Sequence, residues 1–167
     1  TNAGDGVEYK ESIVFLPDVV IIGSWGRHDW GLNKAPKQVF TLQGFRDGYE
    51  DLIQRYQALS SHPKVFVSLP IPILNGQGDM PDEGVKTMDV LPTVNALANE
   101  HQLPIIDLYQ PFFHHPELFK QAPDPRNEGE GEHVTDAGLT VIAKAVYAAM
   151  QKDLQGSGGS GGSAGAS

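Results

Sequence analysis

Apolar residues along this chain fall into two patterns, short dense runs and longer stretches with helical spacing. Three short, mainly apolar runs predict β-strands, at 19–22, 65–69 and 104–109. Stretches with an apolar residue every three or four positions predict amphipathic helices over 7–16, 45–59, 85–101 and 137–154. The first strand reads Val-Val-Ile-Ile, which is typical of a strand buried on both faces. Because strands alternate with helices, the pattern predicts an α/β fold with a parallel sheet and right-handed crossovers.

Proline and polar residues refine the ends of these elements. Pro92 lies inside the third helical stretch and predicts either a kink or a late start there. The predicted N-cap of the last helix is Thr135 or Asp136. Residues 156–167 contain only Gly, Ser and Ala and are typical of an engineered flexible linker. We therefore expect one domain over 1–155, followed by a linker.

Composition narrows the possible functions. A chain of 167 residues can form one domain with a sizeable core. With 21 acidic against 12 basic residues, the net charge of −9 argues against binding to nucleic acid or to an anionic membrane surface. No apolar run reaches the roughly 18–20 residues that a membrane span needs. The lack of cysteine excludes disulfides, thiolate catalysis and cysteine-bound zinc.

The first residues suggest that the chain was processed or cut. Thr1 is not a translation start, and no basic segment followed by an apolar one indicates a signal peptide. An N-terminal threonine is the nucleophile of some amidohydrolases. That alternative is minor here, because the polar residues 2–6 do not predict a buried first strand.

The richest candidate chemistry lies just before the last helix. Glu130 and His133 are three residues apart in a segment too rich in glycine to be helical. A carboxylate at that distance can accept a hydrogen bond from one imidazole nitrogen and leave the other nitrogen free as a base. This pair is two thirds of a hydrolytic triad. Rival orienting acids in the same loop are Glu128, Glu132 and Asp124.

A second candidate region follows the first strand. Glycines at the carboxyl end of a strand place backbone N–H groups where ligands bind in open α/β sheets. Gly26 and His28 are candidate donors to a substrate oxygen. Asp29 is a candidate site residue, although an aspartate here more often caps the following turn. Aromatic residues here could stack on a sugar ring or simply cover the core: Trp25, Trp30 and Phe40.

Little in the sequence indicates a metal or cofactor site. His114 and His115, together with Asp107, contain ligand atoms, but adjacent histidines point apart and the sequence after them predicts a helical turn. No phosphate-binding glycine motif follows any predicted strand. We therefore expect neither a metal nor a cofactor.

The order of these motifs resembles the SGNH (GDSL-type) hydrolase superfamily, and most of all its bacterial carbohydrate-esterase-like members. Gly26-Arg27-His28-Asp29 falls where that family has Gly-x-Asn-Asp, and Glu130-Gly131-Glu132-His133 falls where it has Asp-x-x-His. Between them come Leu-Pro-Ile-Pro and Ile-Ile-Asp-Leu-Tyr, each at a predicted strand. The resemblance covers roughly residues 7–154, the C-terminal two thirds of such a domain.

The resemblance implies a three-layer α/β/α, flavodoxin-like fold that is incomplete in this chain. It implies a serine esterase acting on an ester such as an O-acetylated carbohydrate, with a secreted or periplasmic origin. His133 would be the base and Glu130 its orienting acid, while Gly26 and His28 would lie near the oxyanion. His28 replaces the family's asparagine, and Glu130 replaces its aspartate.

One departure from the family concerns the nucleophile. No Gly-Asp-Ser block is present, so we expect the serine to come from a separate N-terminal fragment of the same hydrolase. Without that fragment, the strand at 19–22 would be an unpaired apolar edge, which invites aggregation. The terminal linker, which spans roughly 19 Å as a random coil, fits a split or circularly permuted design. This chain alone is then expected to be inactive.

An alternative hypothesis, from a different functional class, is that the chain is a non-catalytic carbohydrate-binding or assembly module with a degenerate site. The replacements at positions 28 and 130 are what that reading predicts.

Overall fold

The computed structural model describes residues 7–23, 41–72, 89–120 and 133–157. The helices in these ranges are α1 (Val7–Val14), α2 (Leu42–Gln57), α3 (Leu91–Glu100) and α4 (Asp136–Ser157). The strands are β1 (Val19–Gly23), β2 (Lys64–Ser68) and β3 (Ile105–Ile106). Two short 3₁₀ helices, Gln110–Phe112 and Pro116–Leu118, connect β3 to the segment before α4.

The strands form a parallel sheet in the order β1-β2-β3. The register places Ile21 opposite Phe66 and Ser68 opposite Ile106. Helices connect strands that are neighbours in the sheet, so the predicted α/β class with a parallel sheet is confirmed.

One face of the sheet is packed against α2 and α3. Ile22, Val65 and Val67 point to this face and share a core with Ile53 of α2 and Leu97 of α3, all of them at most 5% exposed. The β-branched residues of the strands fill the space between the sheet and the apolar stripes of the two helices. This packing is the main core of the described chain.

α1 lies on the same side of the sheet as α2. The ring of Tyr9 meets the ring of Tyr56 edge-on, with centroids 5.4 Å apart. The hydroxyl groups of Ser12 and Tyr56 are hydrogen-bonded at 2.8 Å. Because Tyr56 packs against the main core, these contacts fix α1 beside it.

The opposite face of the sheet is covered by α4 over β2 and β3. Phe66 and Ile106 point to this face and are 2% and 1% exposed. The ammonium group of Lys64, which lies on the same face, contacts the carboxylate of Asp153 near the end of α4 at 2.7 Å. Since Lys64 begins β2, the C-terminal part of α4 lies at the amino end of the strands, and α4 runs antiparallel to them.

Several element ends differ from the sequence prediction for local reasons. α3 begins at Leu91 with Pro92 in its first turn, so the late start is correct and no kink is needed. β3 is only two residues long, because the Asp107 carboxylate accepts hydrogen bonds from the N–H groups of Tyr109 and Gln110 and turns the chain. α4 extends to Ser157, two residues into the Gly/Ser/Ala sequence.

The prediction that the first strand is buried on both faces is wrong for one of them. Ile22 is 5% exposed, but Val19 and Ile21 on the other face are 39% and 41% exposed. Within the described ranges β2 is the only strand beside β1. On this face α4 packs over β2 and β3 and does not extend over Val19 and Ile21, which are therefore exposed. An unbroken β-branched run therefore predicted the strand correctly and its burial only in part.

None of the helices in the described ranges combines the length and the apolarity that a membrane crossing requires.

Candidate active site around His133

Most of the predicted site residues lie outside the part of the chain that the structure describes. These are Trp25, Gly26, His28, Asp29, Trp30 and Glu130, and the same holds for Phe40 and the rival acids. His133 is described, and its side chain is exposed. The described part of the candidate site therefore consists of His133 and the residues that hold its backbone.

The start of α4 fixes the chain directly after His133. The Thr135 hydroxyl accepts a hydrogen bond from the N–H of Gly138 at 3.2 Å, and the Thr135 carbonyl accepts one from the N–H of Leu139 at 2.8 Å. Thr135 is thus the N-cap, one of the two residues that the sequence predicted. His133 therefore stands two residues ahead of the N-cap of α4.

The backbone of His133 is also tied to the second 3₁₀ helix. Phe119 and Val134 form an isolated antiparallel bridge. The N–H of Lys120 donates to the His133 carbonyl at 2.8 Å, and the N–H of Thr135 donates to the Leu118 carbonyl at 2.8 Å. The Thr135 hydroxyl donates to the same Leu118 carbonyl at 3.1 Å. Backbone bonds on both sides of Val134 therefore hold the histidine in place while its imidazole faces solvent.

A small aromatic core beneath His133 places it at the carboxyl ends of the strands. Phe112 and Phe119, each 1% exposed, pack together with ring centroids 5.4 Å apart. Val134 packs on them, as does Ile71, which lies three residues beyond the end of β2. The far end of α4 lies at the amino ends, as the Lys64–Asp153 contact shows. Open α/β sheets bind ligands at their carboxyl edge, which is where His133 lies.

Gly138 is required by close packing at this point. A Cβ atom there would lie 2.6 Å from the Leu118 carbonyl oxygen and 2.8 Å from the Val134 Cβ. The absent side chain lets α4 approach the 3₁₀ segment closely enough for the Thr135 contacts to form. Gly138 is not among the candidate residues named from the sequence, although a glycine in the first turn of a predicted helix is a recognisable signal of close approach.

The histidine pair that was considered for a metal has a different arrangement. The Nδ1 atom of His115 lies 2.8 Å from the carboxylate of Glu117, and both side chains are exposed. The hydrogen bond with His115 lowers the pKa of Glu117 below its usual value. In the described ranges no three His, Asp or Glu side chains are grouped as metal ligands.

Comparison with known proteins identifies the fold. No protein-family model and no curated protein sequence matches the chain. Its structure is similar to the lipase/acylhydrolase from Enterococcus faecalis, with a TM-score of 0.63 and 22% identity, over 86% of this chain and 66% of that one. It is also similar to the acetylxylan esterase Axe2 from Geobacillus stearothermophilus, with a TM-score of 0.61 and 15% identity, over 87% of this chain and 65% of that one.

A third similar structure is a putative GDSL-like lipase from Parabacteroides merdae, with a TM-score of 0.61 and 16% identity, over 82% of this chain and 62% of that one. The chain thus spans just under two thirds of the length of these three proteins. The three share one architecture, and it is the one that the sequence motifs resemble. The chain has the fold of the SGNH (GDSL-type) hydrolases.

Proposed function

We propose that this chain contributes the general base, His133, to a serine-type esterase that acts on an ester such as an O-acetyl group on a carbohydrate. The observation that carries the proposal is the position of His133. Its backbone is fixed by hydrogen bonds, its imidazole is open to solvent, and it lies at the carboxyl edge of a sheet with the SGNH hydrolase fold.

In the proposed reaction His133 first takes the proton of a serine hydroxyl while the serine oxygen attacks the ester carbonyl. The protonated imidazole then gives that proton to the leaving alcohol, and an acyl-serine forms. Water next attacks the acyl group with His133 again as the base, which releases the acid and restores the serine. Each proton thus passes through one nitrogen of one side chain.

The remaining roles are assigned from the sequence resemblance. Glu130 would accept a hydrogen bond from the second imidazole nitrogen, and Gly26 and His28 would donate to the oxyanion. Asp29, Trp25 and Trp30 would line the substrate side of the site. The nucleophilic serine would come from a separate N-terminal fragment of the hydrolase. In Axe2, variants at a serine and at an aspartate are described as catalytic mutants, which supports a serine nucleophile with an acid partner.

The test measures hydrolysis of p-nitrophenyl acetate and of acetylated xylooligosaccharide by the enzyme assembled with its serine-bearing fragment. His133→Asn should lower kcat/KM by about 10³-fold or more, because the proton has no other acceptor. The matched control is His62→Asn, since His62 is also exposed but lies just before β2, at the opposite edge of the sheet. Unchanged hydrolysis in His133→Asn would remove the assignment.

The alternative is a carbohydrate-binding module that has lost catalysis, which the departures at positions 28 and 130 favour. A fluorophosphonate probe separates the two proposals. A covalent adduct on a serine of the assembled protein rejects the binding module. Binding of acetylated xylooligosaccharide without any adduct rejects the esterase.

A further inference from the structure

Lys120 lies directly opposite His133 in the backbone pairing that holds the histidine. Phe119 and Val134 form the antiparallel bridge, and the next residue along one chain faces the preceding residue of the other. The N–H of Lys120 accordingly donates to the His133 carbonyl at 2.8 Å. Lys120 and His133 are therefore cross-strand neighbours, although they are thirteen residues apart in the sequence.

The side chains of this pair project from one side of the bridge. Successive residues of an extended chain point to opposite sides. Phe119 and Val134 pack into the small aromatic core, whereas Lys120 and His133 are both exposed. Residues opposite each other in an antiparallel pair have Cβ atoms about 4.5–5.5 Å apart. The ammonium group of Lys120 thus opens onto the same patch of surface as the imidazole.

This ammonium group is available to a ligand. Three other basic side chains of the described ranges form ion pairs with carboxylates: Arg46, Arg55 and Lys64. Within those ranges no acidic side chain forms an ion pair with Lys120, and the carboxylate of Glu117 in the adjoining 3₁₀ helix is hydrogen-bonded to His115. In a chain of net charge −9, Lys120 provides a local positive charge that an anionic group can occupy.

The proposed role of His133 indicates which part of the substrate meets this charge. An imidazole that protonates the leaving alcohol lies within about 2.6–3.2 Å of the alcohol oxygen. Lys120, beside that imidazole, then lies on the alcohol side of the ester. In a carbohydrate ester the alcohol is the sugar, so the anionic group within reach of Lys120 is a carboxylate on the sugar.

We propose that Lys120 is a specificity residue that binds the carboxylate of an acidic sugar, so that the preferred substrate is an O-acylated uronate. The inference rests on the proposed function in that His133 acts on the same ester. Because the pair is exposed, it should favour the charged sugar by only about two- to fivefold. The effect should appear in KM, since the carboxylate takes no part in bond cleavage.

The first experiment compares hydrolysis of acetylated methyl glucuronoside and acetylated methyl glucoside by the serine-bearing enzyme. Lys120→Gln should lower the ratio of their kcat/KM values by about two- to fivefold, through a higher KM for the glucuronoside. Lys120→Arg keeps the charge and should keep the preference. The matched control is Lys152→Gln, which removes the same charge from an exposed position of α4 beside Asp153, at the opposite edge of the sheet, and should not alter the ratio.

Two further measurements locate and characterise the charge. Added salt should reduce the preference of the unaltered enzyme, because exposed charges are screened. p-Nitrophenyl succinate carries its carboxylate on the acyl side, and Lys120→Gln should affect it less than the glucuronoside. An unchanged ratio in Lys120→Gln overturns the proposal, as does a larger effect on the succinate. An equal fall in kcat for both sugars also overturns it, because Lys120 would then support the site and not select the substrate.

A titration without any ester separates this inference from the proposed function. Methyl glucuronoside should shift the imidazole resonances of His133 in this chain at lower concentration than methyl glucoside, and Lys120→Gln should remove the difference. Equal shifts from the two sugars, or no shift from either, overturn the inference. A difference in binding without ester hydrolysis by the serine-bearing enzyme supports the role of Lys120 and removes the proposed function. Hydrolysis that depends on His133 but does not distinguish the sugars does the opposite.

Discussion

The two ends of the sheet differ in how completely they are covered. At the β3 end, α4 and the 3₁₀ segment enclose Phe112, Phe119 and Ile106, each 1% exposed. At the β1 end, Ile21 is 41% exposed although its neighbour Ile22 is 5% exposed. Ile21, Ile22 and Ile106 are the same residue type, so the difference in exposure lies in what packs above each side chain. Burial is thus a property of the assembled layers, whereas strand formation is a property of the local sequence.

The largest expected effect contrasts two isoleucines. Ile53→Ala removes a side chain with no exposure in the main core and should lower the free energy of unfolding by about 2–5 kcal/mol. Ile21→Ala removes the same atoms from a half-open site and should lower it by about 1 kcal/mol or less. Urea unfolding of both variants measures the contrast. Similar losses would mean that β1 is covered in solution.

An intermediate effect contrasts two glycines. Gly138→Ala should destabilise the chain by about 1–3 kcal/mol, because the added Cβ overlaps the Leu118 carbonyl and Val134. Gly48→Ala in α2 meets nothing within 4 Å and should stabilise by about 0.5–1 kcal/mol, because alanine favours the helix. Thermal unfolding of the two variants should therefore shift in opposite directions. In the enzyme that we propose, Gly138→Ala should also lower ester hydrolysis by displacing His133.

The smallest effect concerns the ion pair between Lys64 and Asp153. Its side chains are 49% and 22% exposed, so the pair should contribute only about 0.2–1 kcal/mol. A double-mutant cycle with Lys64→Met and Asp153→Asn, measured at low and high salt, checks the value. A coupling energy that does not fall with added salt would contradict this estimate.

Much of the fold could be predicted from periodicity, and the misses have local causes. The β-branched runs and helical stripes gave β1, β2 and α2 to within a few residues. β3 is shorter than its apolar run because the Asp107 side chain competes for the next backbone N–H groups. The periodicity of apolar residues does not reveal a turn of this kind. It does not reveal the exposure of Val19 either, because that exposure depends on what packs over β1 and not on the local sequence.

The site could be predicted only in part for a similar reason. His133 was singled out because a polar, glycine-rich segment leads into a predicted helix. The contacts that hold it come from Phe119 and Leu118, which are distant in sequence and carry no catalytic signature. Long-range packing of this kind becomes visible only once the chain is folded. The catalytic role of His133 stays a prediction, as does that of Glu130, which lies outside the described residues.

The hydrogen bond between the N–H of Lys120 and the His133 carbonyl has a consequence for protein engineering. It holds Lys120 and His133, the two residues that flank the twelve-residue stretch 121–132 in the sequence, side by side. A change in the length of this stretch that keeps Glu130 should therefore leave the backbone position of His133 unchanged.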